Sequence, residues 1–202
     1  KIKKSVKEYK FMNTIKVSID SQKYQLKPSG DDIRYISSRI ARSVRSVNPD
    51  ELKKVVSQIG NDGCTFSPAT FKNGKRSRDN FEQQQLFVLD FDNKDPGNRI
   101  TFDEVKERAD HYELPILSAY DTLSSMQHDK FRVVFLNDVS VSDRRVAEAV
   151  QLAIGRMFPE ADSSCYKDVS KLYFGGKGLL YYDENLPKVN IESIFRNYTY
   201  CM

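Results

Sequence analysis

Gln83-Gln84-Gln85-Leu86-Phe87-Val88-Leu89-Asp90-Phe91-Asp92-Asn93 is the stretch that decides how this chain reads. Leu86 to Leu89 form an apolar run with the character of a buried strand, and two carboxylates one residue apart stand where that strand should end. Period-two geometry puts Asp90 and Asp92 on one face, so two negative charges lie side by side at the rim of a hydrophobic core. A fold has no need of that. Like-charge repulsion should destabilise the empty protein, and a bound hard cation would relieve it. The sequence is therefore expected to be organised around a metal site here.

Downstream of this strand the pattern is regular. Thr101-x-x-Glu104 is a capping box, opening a helix with apolar Phe102, Val105 and Ala109 that runs to about Tyr112. Leu114–Tyr120 reads as a strand, Asp121–Asp129 as a polar loop and Phe131–Leu136 as another strand. Ser142-x-x-Arg145 starts a long helix that Pro159 ends. Lys171–Phe174 reads as a last core strand, followed by Gly175-Gly176-Lys177-Gly178 as a turn and a further strand from Leu179 to Tyr182. Strand, helix, strand, strand, helix, strand is the split βαβ order of ferredoxin-like and RNA-recognition folds, so the expected class is α+β with a βαββαβ core. In that topology the first strand is central and antiparallel to the third and fourth. Asp90 and Asp92 should then face the start of Phe131–Leu136 and the approach to Lys171–Phe174, where His128, Lys130, Arg132, Asp162, Asp168 and Lys171 lie.

Upstream, Ile15, Val17 and Ile19 alternate as in a half-buried strand. Ile33, Ile36, Ile40 and Val44 have helical spacing. Asn48, Pro49 and Glu51 mark the start of a second helix that Gly60 stops. Residues 63–69 show neither period. Residues 1–80 are thus expected to form an α/β elaboration packed on a core of residues 81–202 with a C-terminal extension, the two making one compact domain.

Composition sets outer limits. The 202 residues are 39% hydrophobic and 30% charged, ordinary for a globular protein that can bury a real core. No apolar run is long enough to span a membrane and no signal peptide opens the chain, so a cytoplasmic protein without a membrane partner is expected. Cys64, Cys165 and Cys201 match neither a disulfide framework nor a zinc motif. The net charge of +4 is modest, but basic residues cluster. Lys1, Lys3, Lys4, Lys7 and Lys10 form one group, Arg34, Arg39, Arg42 and Arg45 another, and Lys72, Lys75, Arg76 and Arg78 a third in a polar loop. Such groups suit a phosphate backbone, although a solvated surface has the same look.

Two aspartates plus a third carboxylate are the hard oxygen ligands that two Mg²⁺ or Mn²⁺ ions about 4 Å apart need for in-line displacement at phosphorus. Asp162, ahead of the last core strand, is the preferred third carboxylate and Asp168 its competitor. Basic residues beside them would hold a triphosphate.

These residues also carry a resemblance. The apolar strand ending Asp90-Phe91-Asp92 resembles the first motif of the archaeo-eukaryotic primase superfamily. Asp162, followed by Lys171-Leu172-Tyr173-Phe174, resembles its third. Ser124-Ser125 and His128-x-Lys130-x-Arg132 occupy the place of its second, which ends in a strand His. The likeness spans about residues 63 to 182 and is best to primase-polymerases of phages, plasmids and other mobile elements. It implies template-directed nucleotidyl transfer, with Asp90, Asp92 and Asp162 as catalytic metal ligands and Ser124, Ser125, His128, Lys130, Arg132 and Lys171 around the nucleotide. Lys72, Lys75, Arg76, Arg78 and Lys177 would contact nucleic acid. The implied partners are a single-stranded or primed DNA template, nucleoside triphosphates and a helicase domain or protein. A chain that opens on Lys1 fits a fragment of a longer replication protein. The family's strand His is Arg132 here, with His128 four residues earlier, so either could hold the phosphates.

Three other readings compete. A two-metal nuclease would use the same carboxylates. A haloacid-dehalogenase-type phosphatase wants Thr or Val where Lys94 stands. A non-catalytic RNA-recognition module, with Lys130–Phe135 as its binding strand, wants Gly at Phe131 and exposed alternating aromatics.

Overall fold

A computed structural model describes residues 14–200; the lysine cluster at residues 1–10 and Cys201 lie outside the described residues. The small N-terminal sheet has the order β2-β1-β3, built from β1 (Ile15–Ile19), β2 (Val44–Val47) and β3 (Phe66–Ser67). Between the first two lies α1 (Asp31–Ile40), which buries Ile36 and Ile40; α2 (Leu52–Gly60) follows the second. The expected helix through Val44 stops at Ile40. Val44 pairs instead with Ser18 across β1 and β2, so strand pairing overrides the helical spacing. At the start of α2, Asn48 donates its backbone N–H to Glu51, 3.3 Å away, as its capping residues foretold.

The main sheet is α+β in class and runs β4-β5-β7-β6-β8, with every neighbouring pair antiparallel. Its strands are β4 (Ala69–Phe71), β5 (Phe81–Asp92), β6 (Ser118–Thr122), β7 (Lys130–Val141) and β8 (Gly176–Tyr182). Helix α3 (Phe102–His111) follows β5, α4 (Arg144–Met157) follows β7 and α5 (Ile191–Tyr200) comes last. The capping box at Thr101 and Glu104 opens α3, while Asp143 rather than Ser142 caps α4 by accepting from Arg145 N–H at 2.8 Å.

The order of the first three core strands is the expected one; the fourth is a correction. Lys171–Phe174 does not join the sheet beside β5. Tyr173 makes one isolated bridge to Phe66, with N···O distances of 2.8 and 2.9 Å, and β4 takes the edge next to β5. The closing strand, β8, pairs with β6 instead. Gly175 and Gly176 make this path possible. A Cβ on Gly175 would lie 2.3 Å from the Gly63 backbone, and one on Gly176 2.3 Å from the Asp121 carbonyl. The Gly-Gly-Lys-Gly stretch is therefore a close-packed strand entry rather than a turn.

Alternation along β5 sends its two faces to different cores. Phe87, Leu89 and Phe91 sit on one face with Phe131 and Phe135, where Phe91 stacks on Phe131 at 4.9 Å and meets Phe158 edge-on. Buried Val150, Ala153, Ile154 and Met157 of α4 belong to the same core. The other face carries Leu86 and Val134 against Leu52, Val55, Val56 and Ile59 of α2. Asp90 and Asp92 belong to this second face, at its open end. Phe131 and Phe135 are fully buried, so β7 offers no aromatic platform of the RNA-recognition kind.

Candidate active site

The register that joins β5 to β7 sets Asp90 opposite Arg132 and Asp92 opposite Lys130. These are direct cross-strand pairs of opposite charge. Arg132 donates to Asp90 Oδ2 at 3.1 Å and to the Phe174 carbonyl, with its guanidinium 5.9 Å from the Tyr120 ring and 5.6 Å from the Tyr173 ring. Lys130 Nζ lies 3.2 Å from Asp92 Oδ1, and Lys94 pairs with Oδ2 of the same carboxylate. The unrelieved repulsion inferred from the sequence is therefore absent, because each aspartate has its own cation. Oδ1 of Asp92 is buried with the Lys130 ammonium as its partner, and Nε of Arg132 is buried without one among the described residues.

These contacts set the charge states. Burial works against ionisation of Asp92, but hydrogen bonds from Lys94 and Lys130 outweigh it and hold the carboxyl below its usual range. Burial likewise opposes the charge on Arg132, and Asp90 more than compensates, keeping the guanidinium protonated. The phenol of Tyr120, buried beside it, is pushed up to about 12.

Asp162 is brought to the same rim by backbone. Its N–H donates to the Asp90 carbonyl at 2.8 Å, and its side chain accepts from Ser164 N–H at 2.9 Å and Ser164 Oγ at 2.7 Å. Burial raises the Asp162 carboxyl, but the Ser164 bonds and Lys171 bring it below the ordinary value. The loop is pinned by Tyr166, whose hydroxyl lies within reach of the Gly155, Phe158 and Ala161 carbonyls at 3.0, 3.4 and 3.1 Å. Gly155 leaves room for that ring, since a Cβ there would stand 2.3 Å from Tyr166 Cε1. Asp168, the competing carboxylate, turns away to cap Ser170 at 2.8 Å.

Asp90, Asp92 and Asp162 line one pocket of about 230 Å³ with Lys94, Lys130 and Arg132. A ligand atom from each of Asp90, Asp162 and Cys165 falls within 4.8 Å of the other two; Asp92 stands outside that group, turned to its lysines. The donor set fits a hard divalent cation: carboxylate oxygens dominate, and Asp92 Oδ1, buried with only the Lys130 ammonium beside it, keeps lone pairs for a metal. The buried Cys165 thiol is pushed up by burial, partly offset by Lys171, whose ammonium is 2.9 Å from its sulfur.

The remaining predicted residues divide. Ser124 lines the pocket and is exposed. Ser125 is buried in its loop, 3.1 Å from Asp121 and 3.3 Å from Asp129. His128 lines a separate, neighbouring cavity of about 740 Å³, its Nδ1 2.6 Å from Asp121. Of the two phosphate-holder candidates, only Arg132 lines the carboxylate pocket. Lys171 sits 3.8 Å from Asp162, and Lys177 donates to the Ser125 carbonyl. In the basic loop, Arg76 bonds Ser37 at 2.9 Å and the Ser170 carbonyl, and Arg78 pairs with Glu148 at 2.6 Å. Lys72 and Lys75 are exposed.

Two basic lining residues, Lys94 and Lys27, were not read from the sequence as part of the site. Lys27 reaches the pocket from the loop before α1, and among the described residues it has no ion-pair partner. That loop is anchored by Arg39, which donates to Asp20 at 2.7 Å and to the Tyr24 hydroxyl at 2.9 Å. It also passes so close to Gly63 that a Cβ there would fall 1.9 Å from the Tyr24 carbonyl. Lys27-Pro28-Ser29-Gly30 has the composition of a turn, but nothing in it tells which rim it reaches.

No protein-family model matches this sequence, and no curated protein is significantly similar to it. Among solved structures, the chain is similar to the AEP domain of the primase-polymerase (PrimPol) of cyanophage S-2L, at 8% identity and a TM-score of 0.48, over 76% of this chain and 78% of that one.

Proposed function

We propose that this chain is the catalytic domain of a primase-polymerase, of the kind carried by phages, plasmids and other mobile elements, and that it transfers nucleotides from nucleoside triphosphates to a 3′-hydroxyl on a DNA template. The observation that carries this reading is the convergence of Asp90, Asp92 and Asp162 with Lys27, Lys94, Lys130 and Arg132 on one pocket at the sheet rim. Asp90, Asp92 and Asp162 would hold two Mg²⁺ or Mn²⁺ ions, which when bound supply Lewis acidity for the attacking and leaving oxygens.

The chain's own part is charge placement. Lys94 and Lys130 neutralise Asp92, and both are long enough to turn to phosphate oxygens when a nucleotide enters. Arg132 is held between Tyr120 and Tyr173 and presents a planar donor set at a fixed position. Lys27, with no carboxylate to satisfy, is the cation available to the triphosphate from the start. Because Lys27 comes from the first 80 residues and the carboxylates from the rest, the two parts work as one unit.

Primer extension tests this. With Mg²⁺ or Mn²⁺, a primed template and nucleoside triphosphates, the protein lengthens the primer and the Asp90→Ala variant does not. Metal-dependent shortening of the DNA, with no nucleotide requirement, would replace the proposal with a nuclease.

A further inference from the structure

A third cavity is also lined by Asp162. It is a groove of about 820 Å³ between α4, α5 and the loop that carries Asp162, and Asp162 lines both it and the carboxylate pocket. Arg156 and Lys167 stand on its walls, both exposed, and among the described residues neither has an ion pair or hydrogen bond. Tyr198 of α5 contributes a half-buried ring, with no partner for its hydroxyl among the described residues. Asp162 is the one carboxylate in the lining, and it already answers to Ser164 and Lys171.

Five of the basic residues at the site and in the Lys72–Arg78 loop differ from Arg156 and Lys167 in being paired. Arg76 and Arg78 hold protein partners, and Lys94, Lys130 and Arg132 hold the site carboxylates. Two unpaired cations and a tyrosine ring, in a groove that shares Asp162 with the carboxylate pocket, match a nucleic-acid strand: phosphates for the cations and a base for the ring. Neutral or basic peptides would find nothing to pair with Arg156 and Lys167. We infer that the groove between α4 and α5 is the track of the DNA strand whose 3′ end is extended, with Arg156 and Lys167 on its phosphates and Tyr198 under a base. This assignment of the end rests on the polymerase reading, since Asp162 marks where the reacting hydroxyl would sit; the binding of a strand in the groove does not.

The test is equilibrium binding of a labelled single-stranded oligonucleotide by anisotropy over a range of salt, for the wild type and for the Arg156→Ala/Lys167→Ala double variant. Both residues are exposed, so the variant keeps its fold, which its melting temperature checks. Loss of two phosphate contacts should weaken binding by about tenfold and flatten the log–log salt slope by about 1.4. Tyr198→Leu, which keeps apolar packing but removes the ring, should weaken binding by about fivefold and leave the slope alone. The thermal shift produced by Mn²⁺ with a nucleoside triphosphate should be unchanged in all variants. Wild-type affinity and slope in the double variant overturn the proposal, as does a wild-type protein with no salt-dependent strand binding. A protein that binds through the groove yet never extends a primer keeps the groove and loses the polymerase.

Discussion

Two regions of this molecule look alike in sequence and differ in kind. The loop at Lys72–Arg78 and the rim at Asp90–Lys94 with Lys130–Arg132 are both dense in charge. In the loop, Arg76 is spent on Ser37 and the Ser170 carbonyl and Arg78 on Glu148, contacts that join the loop to α1, α4 and the segment before Tyr173. At the rim, the charged groups pair with one another and line a cavity. What separates a structural charge from a functional one is therefore its partner and the space in front of it, neither of which a charge run reveals.

The sharpest break of this comparison is at Asp90. Asp90→Asn keeps shape while removing the charge; primer extension should fall on the order of 10²-fold or more, as expected when a ligand of a catalytic metal is lost. Extension at wild-type rate would place the rim with the loop. The converse break is Arg76→Ala. Removing a charged donor from a carbonyl should destabilise the protein by about 2 kcal/mol in chemical denaturation, with nucleotide-dependent stabilisation unchanged.

Smaller effects refine the rim. Lys27→Ala should raise KM for the nucleotide about fivefold, one exposed charge–phosphate contact being worth about 1 kcal/mol, while kcat stays near wild type. The smallest effect concerns Asp92 and pH. Its carboxyl lies below the ordinary value in the folded protein, so its stabilising pairs are present above about pH 4 and are lost as pH falls through the lowered value. Asp92→Asn should consequently lose less stability than wild type between about pH 5 and about pH 2 in metal-free melts. A steeper acid loss in the variant would reject the pairing with Lys94 and Lys130.

Much of the rim was legible because it is written in one strand and its periodicity. The apolar run before Asp90, the alternation that aligns Asp90 with Asp92 and the split βαβ order were enough to bring Lys130 and Arg132 opposite them. What could not be read depends on contacts between distant segments. Lys171–Phe174 has a strand's composition, but Tyr173 is claimed by Phe66 and β4 is claimed by Gln83 and Gln84, so the edge beside β5 goes to another segment. Residues 63–69 showed no period because they hold β3, two residues long, and the start of β4, three residues long, both buried throughout. Lys27 depends on how Arg39 and Tyr24 fold a loop back. The cation partners of Asp90 and Asp92 were visible as neighbours, yet their neutralising effect emerges only with the register.

That register has a consequence for how the chain reaches its native state. Between β5 and β7 the pair Phe91–Phe131 lies between Asp90–Arg132 and Asp92–Lys130. A slip of β7 by one residue would turn Arg132 and Lys130 into the aromatic core against α4 and lift Phe131 into the pocket. Burying those two cations without partners would cost far more than any contact the slipped sheet could regain. The charges at the rim thus act as a register lock, making the misaligned pairing of β5 with β7 costly.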